Sequence, residues 1–208
     1  MLFSPSCSKT SAAKNSVNKD NLPNLHRGMT LIQLMVTIAI ASVLSSIAIP
    51  SLNDLIVELR VDNEISRLSR LLLIARNHSI AHQRNVIICP LGSSGSCTNN
   101  WHEELSVFVD TNGNQEFDGN INELIVTTKR AAVFGDKLIY AKNRTKITYQ
   151  STGHLFGLSN GTLKYCPKNY QDKSRGVVIA RSGRFYATAD NNHDGIDETR
   201  SKQIISCD

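Results

Sequence analysis

The side chains of this 208-residue chain that are spaced as a cation would need lie in three short stretches. Asp190-Asn191-Asn192-His193-Asp194-Gly195 sets oxygen donors at Asp190, Asn192 and Asp194, the first, third and fifth places of an EF-hand-like calcium loop, with the glycine at the sixth. The bidentate glutamate of the twelfth place is Ser201 instead, so Asp197 or Glu198 would have to stand in. Asp110, Asn112, Asn114 and Asp118 form a second acidic loop that lacks the sixth-place glycine. Both stretches are also ordinary hairpin-turn chemistry, in which Asp, Asn and Gly supply unusual backbone angles. His78 and His82, four apart, share one face of a helix as metal ligands do, but no third ligand accompanies them, and they read as a surface pair. No cofactor is expected apart from calcium at Asp190, Asn192 and Asp194.

A nucleophile with an ordered base, a phosphate loop and a zinc pattern are all missing from the sequence, so the chain is not read as an enzyme. Cations gather in the last third, where Arg175, Arg181 and Arg184 could follow a nucleic-acid backbone if they share a face. Asp190, Asp194, Asp197 and Glu198 lie close to them in sequence and would repel phosphate, which favours a solvated face of mixed charge. The formal charge of +5 owes much to Lys9, Lys14, Lys19 and Arg27, and the remainder after Gly28 is too nearly neutral to argue for nucleic acid by itself.

Cys7 precedes Gly28, which leaves Cys89, Cys97, Cys166 and Cys207. Four cysteines admit three pairings, and spacing does not choose among them. The Gly- and Ser-rich interval between Cys89 and Cys97 can close a small loop, which favours Cys89 with Cys97 and Cys166 with Cys207. Disulfides belong to a head held outside the reducing cytosol.

That location follows from the N-terminal region. Residues 1–27 are polar and carry no core pattern, as a targeting segment does. Gly28 to Asn53 contains no charged residue and is dominated by Leu, Ile, Val and Met. About 20 residues of helix, at roughly 1.5 Å each, suffice to span a bilayer core. His26 and Arg27 would hold the leading end in the cytoplasm and send the C-terminal end across. The expected topology is therefore a single inner-membrane pass with a periplasmic head. An apolar stretch that follows the basic pair, rather than preceding a cleavage site, would stay on the protein after a cut at Gly28.

Beyond Pro50 an amphipathic helix is expected. Leu52, Leu55, Ile56, Leu59, Ile65, Leu68, Leu72 and Ala75 recur at three- and four-residue intervals, with acids and arginines between them. Strands are expected at 86–89, 105–110, 124–129, 146–150, 162–166, 176–181 and 185–188. One long helix followed only by strands is an α+β plan, with the helix packed on an antiparallel sheet. The expected divisions are a leader at 1–28, a transmembrane or filament-core helix at 29–52, the amphipathic half at 53–82 and a β-rich head at 83–208.

Gly28-Met29-Thr30-Leu31-Ile32-Gln33-Leu34-Met35-Val36 resembles the type IV prepilin motif. The head is similar to the GspH/FimT family of minor pilins and pseudopilins through Ala75-Arg76, Val86 to Pro90, Trp101 to Asp118, Ser151-Thr152-Gly153, Gly161 to Cys166 and Ser182-Gly183-Arg184. The resemblance implies that prepilin peptidase cuts after Gly28 and methylates Met29, and that Pro50 relaxes the helix. It implies assembly with other major or minor pilins or pseudopilins, with a part in priming or capping a type IV pilus or type II secretion pseudopilus. Gln33 replaces the glutamate that pairs with a neighbouring subunit's N-terminus in pilins. Glutamine keeps a hydrogen bond but loses the charge, which suits a low-copy subunit near a filament tip. Some FimT-like proteins bind DNA in natural transformation through Gly-Arg-x-Arg. Here the stretch is Gly183-Arg184-Phe185-Tyr186, so DNA is the alternative, less favoured partner.

Overall fold

The computed structural model describes residues 28–119 and 123–207, apart from the side chains of Ala48, Pro50 and Ser51. The leader through Arg27, with Cys7, lies outside the described residues. A helix, α1 (Leu31–His82), is followed by strands β1 (Asn85–Pro90), β2 (Leu105–Asp110), β3 (Ile125–Lys129), β4 (Lys137–Tyr140), β5 (Ile147–Tyr149), β6 (Gly161–Cys166), β7 (Arg175–Ile179) and β8 (Phe185–Ala187). The chain divides into two compact units between Ser45 and Ser46.

Within the first unit Thr30 starts the helix. Its hydroxyl accepts the Gln33 amide N–H at 3.3 Å, and its carbonyl accepts that of Leu34 at 3.1 Å. A threonine oxygen serving an otherwise unpaired first-turn N–H is an N-cap, and Thr30 with Gln33 occupies the two positions of a capping box. Thr37, Ser42 and Ser45 donate to carbonyls three or four residues back, so their hydroxyls do not stand unpaired in apolar surroundings.

The second unit lays residues of α1 against two four-stranded sheets, ordered β3-β2-β1-β5 and β4-β6-β7-β8, antiparallel throughout. The single sheet expected from sequence is two. β4 supplies the missing strand: it has only four residues, in which Leu138 and Tyr140 are buried while Lys137 and Ile139 are exposed.

The core stripe of α1 is Val57, Val61, Ile65, Leu68, Leu72 and Ala75, with Leu71 beside it, packed against Val86 and Ile88 of β1, Val107 of β2, Leu163 of β6 and Val177 of β7. Leu52, Leu55, Ile56 and Leu59, expected to lie in this stripe, are about half exposed instead. The reason is phase. Steps of four, four, three, four and three residues run from Val57 to Ala75, and Leu52, Leu55, Ile56 and Leu59 fall outside that line. On its other face β1 buries Ile87 and Cys89 with Phe108 of β2, edged by Phe117. That small second core explains why β1 reads as a continuous apolar run.

Several buried polar groups of the unit are partnered across elements. Glu64 of α1 meets Lys129 of β3 at 2.7 Å, both about 4% exposed, and Arg67 meets the other Glu64 oxygen at 3.0 Å. The Tyr165 hydroxyl donates to Asp136, which also accepts the Lys168 amide at 2.9 Å. Trp101 Nε1 donates to the Arg144 carbonyl at 2.7 Å, with its ring centroid 4.8 Å from that of Tyr140. Cys89–Cys97 and Cys166–Cys207 are disulfides with Cα separations of 5.6 and 6.2 Å, the pairing favoured by the sequence. Gly183 has φ +74°, and a Cβ there would sit 1.9 Å from the Gly153 carbonyl, so the turns carrying Gly153 and Gly183 can touch only because residue 183 is glycine.

Candidate functional site

Many apolar residues of α1 are left uncovered within their own unit. Leu31, Ile32, Met35, Ile38, Val43 and Leu44 in the first unit are all more than half exposed. In the second unit Leu52, Leu55, Ile56 and Leu59 continue the run at 49–53% exposure, while Val57 and Val61 on the same turns are buried. Soluble monomers rarely expose apolar surface on this scale, and its usual use is contact with a membrane or with other chains. No single helix among the described residues is long and apolar enough to cross a membrane; Leu31–Ile47 and Leu52–His82 meet that requirement only as a pair. Gly28, Met29 and Gln33 are exposed at the start of the run, and Pro50 lies within α1.

The three arginines do not act alike. Arg175, at the start of β7, faces acids of α1: it bonds Asp62, lies 3.7 Å from Glu58 and reaches Asp197 at 3.7 Å. That guanidinium is held by carboxylates and ties the helix to the sheet. Arg181 and Arg184 are exposed, Arg184 with a 3.4 Å contact from Nε to Ser182 Oγ. Tyr186, where Gly-Arg-x-Arg has its second arginine, carries the Arg200 guanidinium 4.2 Å from its ring centroid, a cation–π contact.

The two acidic loops differ in burial. Asp190 accepts the amides of His193, Asp194 and Gly195 on its two oxygens at 2.7–3.2 Å. Those bonds, Gly195's foremost, hold its carboxyl below the ordinary carboxylate value. Asn192 and Asp194 bond each other at 2.8 Å, and all three residues are at least partly solvated. In the other loop Asp110 is buried, and one of its oxygens has no hydrogen-bond partner. His78 and His82 stack with ring centroids 4.1 Å apart; burial, and then the charge of His82, lowers the pKa of His78. Among the described residues no three His, Cys, Asp or Glu side chains are grouped to hold a metal. Sequence reasoning missed Leu52, Leu55, Ile56 and Leu59 as surface residues, although the spacing of Val57 and Val61 carried the signal.

A family profile described as type II transport protein GspH matches residues 64–183. Those residues run from Glu64 of α1, through most of the stripe that lies on the sheets, to the turn after β7. The chain therefore belongs to the GspH family, the minor pilins and pseudopilins that the sequence resembles. It is a family of structural subunits of membrane-anchored pili and pseudopili, not of known enzymes. Among solved structures the chain is similar to the type IV minor pilin FimU of Pseudomonas aeruginosa strain PAO1, at 17% identity over 62% of this chain and 88% of that one, with a TM-score of 0.49. It is also similar to the minor pseudopilin EpsH from the type 2 secretion system of Vibrio cholerae, at 13% identity over 62% and 97% of the two chains, with a TM-score of 0.42. No curated protein matches the chain.

Proposed function

We propose that this chain is a minor subunit that helps to prime or cap assembly of a type IV pilus or type II secretion pseudopilus, anchored in the inner membrane by α1 before it enters the filament. The observation that carries this reading is that each unit leaves apolar residues of α1 uncovered: Leu31, Ile32, Met35, Ile38, Val43 and Leu44 in the first, and Leu52, Leu55, Ile56 and Leu59 in the second, the latter on helix turns that also pack on the head. A segment serving only as an anchor has no need of exposed leucines where the helix already rests on its own domain. Neighbouring subunit helices in a filament would cover both parts.

In this account prepilin peptidase cuts after Gly28 and Met29 becomes the methylated first residue. Gln33 then stands at the fifth place with a neutral amide, so docking of this subunit does not depend on an ion pair there. Electron-microscopic counts of surface pili in a strain lacking only this protein, and in its complemented parent, test the priming role. Loss and return of pili are expected for a pilus subunit, and normal numbers in the deletion strain would remove assembly priming of a pilus.

A second reading, DNA binding by the head, is favoured by one observation: the Arg200 guanidinium lies over Tyr186, the residue that stands where Gly-Arg-x-Arg has its second arginine. It predicts salt-sensitive DNA binding by the full chain that weakens in Arg184→Ala. A chain with no affinity for DNA at low salt would eliminate it. Arg175 is not part of that surface, since Asp62, Glu58 and Asp197 already hold it.

A further inference from the structure

We infer that the β2–β3 hairpin loop is a calcium site, formed by Asp110, Asn112, Asn114 and Asp118. Asp110 ends β2 and is only 3% exposed. One carboxylate oxygen, Oδ1, accepts the Gly113 amide at 2.8 Å, which turns the group toward the loop, while Oδ2 is buried without a hydrogen-bond partner. A buried carboxylate oxygen with nothing to bind is costly, and a cation supplies what is missing. The cations nearest in the bonding pattern do not fill that role. Arg84 reaches the Thr111 carbonyl at 3.4 Å, and Lys146 reaches the Gln115 carbonyl at 3.0 Å.

The loop also draws its other polar side chains together. Asn112 and Asn114 both turn their amides to Asp118 Oδ2, at 2.9 and 2.5 Å. Their own oxygens each accept one backbone N–H, from Asn114 at 3.0 Å and from Glu116 at 2.9 Å, and each keeps a second lone pair. Glu123, 5% exposed, clamps the loop from below by accepting the amides of Thr111 at 2.9 Å and Asp118 at 2.8 Å.

Asp110, Asn112, Asn114 and Asp118 occupy the first, third, fifth and ninth places of an EF-hand-like loop. The sixth place, where the glycine is missing from the sequence, is Gln115, and it adopts φ +64°, the left-handed turn that glycine normally supplies. An all-oxygen set of two carboxylates and two amides, completed by water, suits calcium better than zinc, which selects nitrogen and sulfur. The Asp190 loop has the better sequence match, but its carboxylate is already satisfied by three backbone amides in solvent.

Calorimetric titration of the purified full chain in detergent, with calcium chloride and separately with magnesium chloride, tests the site. The expected result is one calcium per chain with a Kd on the order of 10⁻⁴–10⁻³ M, the range of extracellular modules, and weaker binding of magnesium. At about 10 mM calcium the melting temperature should rise by about 3–11 °C. Asp110→Asn keeps the bond to Gly113 and should weaken calcium binding by about tenfold or more, while Asp190→Asn leaves it unchanged. If Asp110→Asn does not fold, Asp118→Asn reads the same loss from a more solvated position. Absence of both heat and melting shift in the wild-type chain would overturn the inference, as would binding that survives Asp110→Asn but is lost in Asp190→Asn.

Discussion

Leu68 and Leu55 are both apolar residues on α1, thirteen positions apart, and the structure gives them opposite duties. Leu68 is 0% exposed, at the centre of the contact with the sheets, whereas Leu55 is 49% exposed. Truncating a fully buried leucine to alanine costs about 2–5 kcal/mol through lost transfer energy and the cavity left behind. In a unit of this size that lowers the melting temperature by roughly 5–15 °C. Leu55→Asp removes a side chain that is only half covered, so the head should lose about 1 kcal/mol or less. In a filament the same aspartate would lie unpaired among apolar helices, at a cost of several kcal/mol, about a hundredfold or more in incorporation. Denaturant unfolding of the purified chain and immunoblotting of sheared filaments read the two effects separately. Leu68→Ala should unfold early, and Leu55→Asp should fold normally but fail to enter the filament. Equal destabilisation by both changes, or normal incorporation of Leu55→Asp, would refute the division of the helix into two apolar faces.

The disulfides should contribute unequally. Cys166–Cys207 spans 41 residues and Cys89–Cys97 only 8. Loop-closure entropy then gives about 4 kcal/mol for the first and about 2.6 for the second, so urea midpoints should fall further for Cys166→Ser/Cys207→Ser. Lys129→Met should cost about 3 kcal/mol or more, because it leaves buried Glu64 with only Arg67, while Glu64→Met/Lys129→Met together should cost far less, as a double-mutant cycle would show. Burial foremost, against an opposing pull from Arg144, pushes the Tyr140 hydroxyl up to about 12 from 10.0. The neutral phenol is therefore favoured in the folded state: its stabilisation is fully present below pH 10 and is lost as pH rises toward 12. Tyr149 and Tyr165 are pushed the same way, chiefly by burial, so tyrosinate absorbance should appear together with unfolding; smooth ionisation of all tyrosines near pH 10 in a folded chain would contradict this.

The helix and most strands were legible because apolar residues recur at clear periods: β2 spans the expected 105–110, β3 and β6 differ from expectation by a residue at one end, and β1 is longer by a residue at each end. β4 was missed because Lys137–Tyr140 is short, and its significance lies in pairing with β6, residues away in sequence. The helix face was misjudged between Leu52 and Leu59 because two apolar stripes overlap there, and periodicity alone does not say which one meets the sheets. Both disulfides were anticipated. What composition could not supply was burial: it distinguishes Asp110 from Asp190 and shows Arg175 held by acids, although all were counted together as charges in the sequence.

Mass spectrometry of the protein recovered from sheared filaments reads directly whether this chain is processed and built into a filament. The expected chain begins at Met29 with a methylated N-terminus. A chain found only in the membrane fraction, still carrying residues 1–28, would contradict it.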